Sequence, residues 1–416
     1  MVAERARRCS VSDFHQRGPI TTLPRLVASD AERRERELVR FSRARPLILI
    51  IPSLITELDE PALEVMIGEI CKAPYVDTVV ISLDRADEDG YQRALEYFKR
   101  VCHRTVVLWN HAPSVLAVRE ELEERFSGVS QPGKGRAVWM AIGYVLAEGR
   151  AEVVAFHDAD VVNYDRSQLT NLVYPVLDPM VSFDFCKAYY ARFTDRLHGR
   201  VTRLLMRPLL QAVETTVGRT SFISYLSAFR YPLAGELAFS ADLLRRIRIP
   251  SDWGLEVGLL FEVLRQRSPR RICQVDIADQ FEHKHQPLSQ EDPTVGLHRM
   301  ALDIVKHLLR TLCSAGIVLP GGSFQSMRVA YQRFAEDAVA DYLAVAAFNG
   351  LFFDKNAEEQ AVDTFSMALK EACDQFVVDP LGAPPLPNWA RVDSAIPDAG
   401  ARLVEAVANS GGVINE

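Results

Sequence analysis

The chain has 416 residues, 48 lysines and arginines against 55 aspartates and glutamates, and a formal net charge of −7. Hydrophobic residues make up 48% and charged residues 25%, a globular composition that excludes wholesale disorder, and the length suggests two or three domains of ~100–200 residues. The acidic balance excludes a protein that binds nucleic acid through a generally basic surface, but it leaves room for a local basic pocket for a phosphorylated metabolite.

Residues 1–45 read as an N-terminal arm: a turn at Gly18-Pro19, then a charged stretch from Asp30 to Arg45 with the character of a solvated helix. From residue 46 strands and helices alternate. PLILIIPSL (46–54) is a short apolar, β-branched run and predicts a buried strand, followed by a helix over Pro61–Ile70. VDTVVISLD (76–84) predicts a second strand, Gly90–Val101 a helix, and RTVVLWN (104–110) a third strand. GKGRAVWMAIGYVLAEG (133–149) predicts a Gly-rich loop opening a helix, and AEVVAFHDAD (151–160) a fourth strand ending in acids. This alternation implies an α/β fold with a mainly parallel sheet. Ligands of such sheets sit at the carboxyl ends of the strands, where Ser53, Ser82, Asp84, Asp158 and Asp160 fall. From about residue 296 the pattern turns helical, with a Gly-rich break at 321–322 and a Pro-rich tail from Pro380 to Pro397. The expected division is therefore an arm (1–45), an α/β domain (46–295) and a helical C-terminal domain (296–416).

No membrane span is expected. Leu47–Ile51 is broken by Pro52 and Ser53, and Leu343–Phe348 by Asn349 and Gly350, whereas a spanning helix needs ~20 apolar residues in a row. The N-terminus, MVAERARRCSVSDF, has arginines with no apolar core behind them, so a secretory signal is not expected. The seven cysteines are spread out with no C-x-x-C pair. They read as reduced thiols of a cytoplasmic protein rather than a disulfide frame or a zinc site.

Five clusters carry chemistry. His157-Asp158-Ala159-Asp160 follows the strand VVAF directly. Two carboxylates two residues apart at a strand end can converge on a hard cation such as Mg²⁺ or Mn²⁺, which in turn holds a diphosphate; taken alone, D-x-D is an ordinary polar turn. Pro132-Gly133-Lys134-Gly135 offers amide donors and a cation at a helix start, suited to phosphate, although the spacing is not that of a P-loop. Gly199-Arg200-Val201-Thr202 brings arginine, a hydroxyl and free amides to another helix start, suited to a phosphate or carboxylate; the plain alternative is a helix cap. Glu282-His283-Lys284-His285 contains an imidazole able to complete a metal site, or a surface histidine pair. Glu256, in WGLEVGLL, opens an otherwise apolar helical face and is either catalytic or a satisfied structural acid.

In chain order the motifs are P-S-L-x-x-E, S-x-D, P-G-K-G-x-A, D-A-D, G-R-V-T, P-L-A-G-E, W-G-L-E-V-G-L-L and E-H-x-x-x-P-L. Over about residues 47–290 this order resembles the retaining GT-A glucosyl-3-phosphoglycerate synthases and their mannosyl relatives, and the tail P-L-P-N-W-A-R-V resembles that family's C-terminal end. Two departures stand out: Ala234 replaces the first glycine of P-L-G-G-E, and His285 stands where members carry asparagine. The resemblance implies a GT-A, Rossmann-like domain and a hexosyltransferase moving glucose from a nucleotide sugar, UDP-glucose favoured, to 3-phosphoglycerate. It implies that Pro52, Leu54, Glu57, Ser82, Asp84, Lys134 and Asp158 hold the nucleotide and that Leu233, Gly235 and Glu236 line the donor sugar. It further implies Asp160 and His283 as ligands of Mg²⁺ or Mn²⁺, Gly199, Arg200, Val201, Thr202 and His285 as the acceptor cradle, and Glu256 with Asp160 at the reacting centre. A GDP-sugar donor, a mannosyl product and free glycerate as acceptor stay open. So do a sugar-nucleotide nucleotidyltransferase and a non-catalytic nucleotide-sugar-binding protein. The C-terminal helices either form a homodimer interface or pack on the core.

Overall fold

The computed structural model of the protein describes residue 16 and residues 18–26, 30–283 and 296–415. Among the described residues nine strands form one sheet: β1 (Thr21–Leu23), β2 (Leu47–Leu54), β3 (Val76–Asp84), β4 (Arg104–Trp109), β5 (Val153–Phe156), β6 (Phe185–Tyr190), β7 (Leu237–Ser240), β8 (Ile272–Ala278) and β9 (Val413–Ile414). Their spatial order is β1-β8-β6-β7-β5-β2-β3-β4-β9. β7 and β9 run antiparallel to their neighbours and the other pairs are parallel. The carboxyl ends of β2, β3, β5, β6 and β8 therefore lie along one edge, and the reversed β7 begins at that same edge.

The central strand explains its own sequence. Leu47 to Ile51 are completely buried, because helices cover both faces, and a strand buried twice reads as a continuous apolar run instead of an alternating one. Pro52 lies two residues beyond Ile50↔Phe156, the last pair between β2 and β5. A missing N–H there breaks no bond to β5, and the chain is free to open into the cleft.

Within the first 45 residues, expected to form an arm, Thr21–Leu23 joins the sheet and Ala31–Ser42 covers it. β1 pairs with β8 in the register Thr21↔Cys273. Helix Ala31–Ser42 lies on helix Arg166–Leu177 with Leu38 fully buried, and Tyr174 donates its hydroxyl to Glu37 at 2.7 Å. The charged stretch is a helix with one apolar face, so it is not solvated all round. The boundary expected near residue 295 falls outside the described residues.

The long C-terminal helices, Gly296–Ser314, Gly321–Phe348 and Lys355–Val378, pack on one another and on helices Arg207–Val217 and Leu255–Gln266. Gly321 and Gly322, expected as a break, are the first residues of the middle helix. The tail then returns to the sheet. Trp389 stacks on Trp139 at 4.7 Å between ring centroids, its indole N–H donates to the Trp139 carbonyl at 2.9 Å, and Trp139 donates to the Pro387 carbonyl at 2.6 Å. A Cβ at Gly143 would lie 1.9 Å from the Trp389 ring, so only glycine admits it. This lock bears on helix Lys134–Glu148, whose N-terminal end faces the cleft.

Among the described residues no helix is long and apolar enough to cross a membrane, and the six described cysteines are all free thiols. Trp389→Ala removes a buried ring and two interlocked indole contacts, and is expected to lower stability by about 3–5 kcal/mol in urea unfolding. A loss below about 1 kcal/mol would show that the tail is not part of the core.

Candidate active site

A cleft of about 970 Å³ opens along the carboxyl edge of the sheet, at the upper end of the volume of small-molecule sites. Three local arrangements build it.

The first is the Pro132–Gly135 loop. A Cβ on Gly133 would lie 2.0 Å from the Ser251 carbonyl oxygen, and one on Gly135 would lie 1.9 Å from that of Pro250. The glycines let the loop press against the segment that leads into helix Leu255–Gln266. That contact brings Lys134 to Glu256 (Nζ to Oε1, 3.9 Å), while Lys134 donates to Asp158 Oδ1 at 2.7 Å. Burial works against the ammonium, but Asp158 and Glu256 hold it firmly protonated. Burial alone would raise Asp158, yet the Lys134 charge brings it below its ordinary value. Glu256 is shifted up by burial, partly offset by Lys134 and Lys187.

The second arrangement joins the loop after β5 to the chain after β8. Val161 and His283 form an antiparallel bridge, Val162 donates its amide to the Glu282 carbonyl at 2.8 Å, and the Asn163 side chain bonds both the Gln280 carbonyl and the Glu282 amide. This clip places His283 Nδ1 3.8 Å from Asp160 Oδ2. Two ligands each about 2.1 Å from one cation lie roughly 3–4.2 Å apart, so the pair fits a shared Mg²⁺ or Mn²⁺. Among the described residues no three His, Cys, Asp or Glu side chains gather into one metal-ligating group. Burial, then the neighbouring Asp158 carboxylate, pushes the Asp160 carboxyl up to about 7. A cation would relieve this crowding of negative charge.

The third is the helix start at Gly199–Thr202. Gly199 has a φ of +72°, and helical backbone runs from Val201 through Val217, its first turns in π-helical form. The first amides of such a helix lack partners within it, and Gly199–Thr202 line the cleft. Arg200 is already paired: its Nε donates to Glu358 Oε1 at 2.8 Å.

Pro52, Leu54, Glu57, Ser82, Asp84, Lys134, Asp158, Asp160, Gly199, Arg200, Val201, Thr202, Leu233, Gly235, Glu256 and His283 all line this one cleft. Ser82 lines it with a committed hydroxyl, which donates to the Ala137 carbonyl and accepts from Asn110. Gly235 is needed for close approach, since a Cβ there would lie 2.5 Å from Asp158 Oδ2. Glu236, expected to line the donor sugar, is corrected by the structure: it is 1% exposed, lies outside the cleft lining, and accepts a 2.7 Å hydrogen bond from the Tyr190 hydroxyl. The start of antiparallel β7 turns its side chain inward. His285 lies outside the described residues.

Cleft residues that sequence reasoning passed over include Arg136, Tyr190, Arg192, Arg196, His198 and Tyr231. Arg192 donates to the Tyr231 hydroxyl at 3.0 Å and to His283 Nδ1 at 3.3 Å. The recurrence of arginine at 192, 196 and 200 was the available signal. Lys187 of β6 is fully buried behind the cleft and donates to the Ala234 carbonyl at 2.6 Å. Burial, opposed by Glu256 and Glu236, lowers its ammonium to about 8.

Burial, then the Asp158 charge, raises Glu236 from 4.5 to about 7. Between those values the folded chain holds a proton that the unfolded chain has lost, so this stabilisation is complete below pH 4.5 and disappears as pH rises through about 7. Glu236→Gln preserves an acceptor for Tyr190 and removes the titration. In urea unfolding the wild type should lose on the order of 2 kcal/mol relative to this variant between pH 4.5 and 7; parallel stability curves would contradict the assignment.

No protein-family profile matches the chain. It is 41% identical over 397 residues, 95% of this chain and 98% of the other, to a glucosyl-3-phosphoglycerate synthase of Persephonella marina. It is 36% identical over 399 residues, 95% and 97% of the two chains, to the protein of that name from Methanococcoides burtonii. Among solved structures, the Mycobacterium tuberculosis glucosyl-3-phosphoglycerate synthase in complex with Mn²⁺, UDP and glucosyl-3-phosphoglycerate superposes with a TM-score of 0.51 at 24% identity, over 73% of this chain and 90% of that one. The mannosyl-3-phosphoglycerate synthase of Rubrobacter xylanophilus gives a TM-score of 0.52 at 23% identity, over 72% and 85%. The two solved structures share the fold, and the two full-length relatives carry the conclusion that this chain belongs to the glucosyl-3-phosphoglycerate synthase family of glycosyltransferases.

Proposed function

We propose that the protein transfers glucose from UDP-glucose to the 2-hydroxyl of 3-phosphoglycerate, with retention at the anomeric carbon and release of UDP. The observation that carries this is the meeting of Asp160 with His283, Lys134 with Asp158, and the Gly199–Thr202 helix start in a single cleft. The names of the full-length relatives support the same reaction, and the M. tuberculosis protein has been crystallised with Mn²⁺, UDP-glucose and phosphoglyceric acid.

Asp160 and His283 are the residues to hold Mg²⁺ or Mn²⁺. When bound, the ion neutralises charge on the leaving diphosphate and orients it as a Lewis acid. Lys134 adds a fixed positive charge beside that position, at the start of a helix whose free amides favour phosphate. The ends of β2 and β3, with Pro52, Leu54, Glu57 and Asp84, form the nucleoside wall, and Leu233 and Gly235 line the sugar. Glu256 orients the sugar and acceptor, its carboxylate already facing Lys134. Arg200, Thr202 and the adjoining amides grip the phosphate and carboxylate of the acceptor, and most of the rate comes from this proximity. The acceptor oxygen forms its bond to C1 on the face from which the diphosphate oxygen departs, and that departing oxygen takes the hydroxyl proton, so no protein residue carries the sugar.

Mixing the protein with Mg²⁺, 3-phosphoglycerate and UDP-glucose should release UDP and give a product heavier than the acceptor by one anhydrohexose; turnover only with GDP-sugars, or only with free glycerate, would replace the donor or acceptor named above. Asp160→Ala should lower metal-dependent turnover by at least roughly a hundredfold, and full activity would remove the metal assignment. Arg200→Ala should raise KM for 3-phosphoglycerate roughly tenfold, with the donor KM changed less than about twofold; an unchanged acceptor KM would refute the cradle.

A further inference from the structure

The chain between β6 and the helix start at Val201 is held from the C-terminal helices. Facing it is the turn that joins helices Gly321–Phe348 and Lys355–Val378. Phe352 donates its amide to the Asp195 carbonyl at 2.8 Å, and the Arg196 guanidinium covers the Phe352 ring at 5.0 Å. In the first turn of the second helix Glu358 is buried, 4% exposed. Its Oε1 accepts from Arg200 Nε at 2.8 Å, and its Oε2 forms an ion pair with Arg203 Nη1, also at 2.8 Å. Arg203 is itself buried. It donates Nε to the His198 carbonyl at 2.8 Å, and its guanidinium lies 4.8 Å from the centre of the Tyr342 ring.

A carboxylate is buried only when its charge is matched. Here one carboxylate serves two guanidinium groups, so the trio keeps a surplus positive charge. Arg203 is locked to the loop backbone on one side and stacked on an aromatic ring on the other. Arg200 differs: only its Nε edge is engaged, its side chain is 31% exposed, and among the described residues it makes no other hydrogen bond. Its two terminal nitrogens form the planar fork that matches a phosphate or carboxylate, and the residue lines the cleft.

We propose that Glu358 is a positioning residue for the acceptor. It holds Arg200 by one edge, so that the forked end and the surplus charge are presented to the acceptor's anionic group, and it makes that geometry depend on the packing of the C-terminal helices. The proposal rests on the assignment of Arg200 to acceptor binding. Glu358 itself touches no substrate. Replacing it by glutamine keeps the size and one hydrogen-bond acceptor but leaves two guanidinium groups uncompensated side by side, which drives Arg200 out of place.

The test is steady-state kinetics with UDP-glucose, Mg²⁺ and either 3-phosphoglycerate or glycerate, on variants whose melting curves show a folded protein. Glu358→Gln should raise KM for 3-phosphoglycerate roughly tenfold, lower kcat by less than about threefold, and leave the UDP-glucose KM within about twofold. The preference for 3-phosphoglycerate over glycerate should contract by a similar factor, and Glu358→Asp, which restores the charge on a shorter arm, should fall between. If Glu358→Gln does not fold, Phe352→Ala, at a half-exposed ring, should give a smaller rise, about threefold, in the same KM. An unchanged or lowered acceptor KM overturns the proposal, as does an equal rise in both KM values, the mark of a merely structural defect. A wild-type protein that transfers glucose to glycerate but not to 3-phosphoglycerate would refute the reaction proposed above and this inference with it, whereas failure confined to the variants would refute this inference alone.

Discussion

Charge crowded at the carboxyl edge of the sheet governs this molecule. Asp158, Asp160, Glu236 and Glu256 gather around two ammonium groups, Lys134 and Lys187; Glu236 and Lys187 are buried, and the others are half-buried in the cleft wall. Buried carboxylates repel one another and resist ionisation unless they are paired. Lys134 satisfies Asp158 and reaches Glu256. Asp160 keeps a strongly raised carboxyl beside His283. An arrangement so unevenly compensated is suited to a divalent cation and to the phosphates that accompany it.

The fold exists to hold that edge in place. Parallel strands deliver Pro52, Asp84, Asp158 and His283 to one side, and the reversed β7 begins there, so that Gly235 passes close to Asp158. The Pro132–Gly135 loop lies on the backbone of Pro250 and Ser251, and its helix is clamped from behind by the Trp139–Trp389 stack. The C-terminal region reaches the site from both directions: Trp389 supports helix Lys134–Glu148, and Glu358 holds Arg200 and Arg203. This helical region is thus continuous with the catalytic domain in its contacts, and the edge strand β9 returns to the sheet beside β4.

Much of this was legible in the residues. Leu47–Ile51 and Val76–Leu83 could hardly be anything but buried strands, and the acids after VVAF fell where an α/β sheet binds ligands. Other parts lacked a local signal. β6 carries a buried lysine, whose ammonium finds a carbonyl that sequence cannot place, and β7 is only four residues long. β1 and β9 are edge strands of three and two residues, held by register with partners far away in the chain. The approach of His283 to Asp160 depends on the Val161–His283 bridge, which no spacing rule encodes. Glu236 matched a motif yet turns inward, since a motif names a residue and not the direction its side chain takes. Glu358 stands in a charged helix, EEQAVDTF, where a glutamate reads as a solvated face; only the packing reveals it between two arginines.

The central claim is that one divalent cation joins Asp160 and His283 beside a nucleotide diphosphate. Crystals grown with Mn²⁺ and UDP, measured for anomalous scattering at the manganese edge, test it directly. The expected result is a single strong peak within about 2.3 Å of Asp160 Oδ and of a His283 ring nitrogen, with diphosphate oxygens completing the shell. Manganese bound elsewhere in the cleft, or UDP bound with no ion between these two side chains, would contradict it.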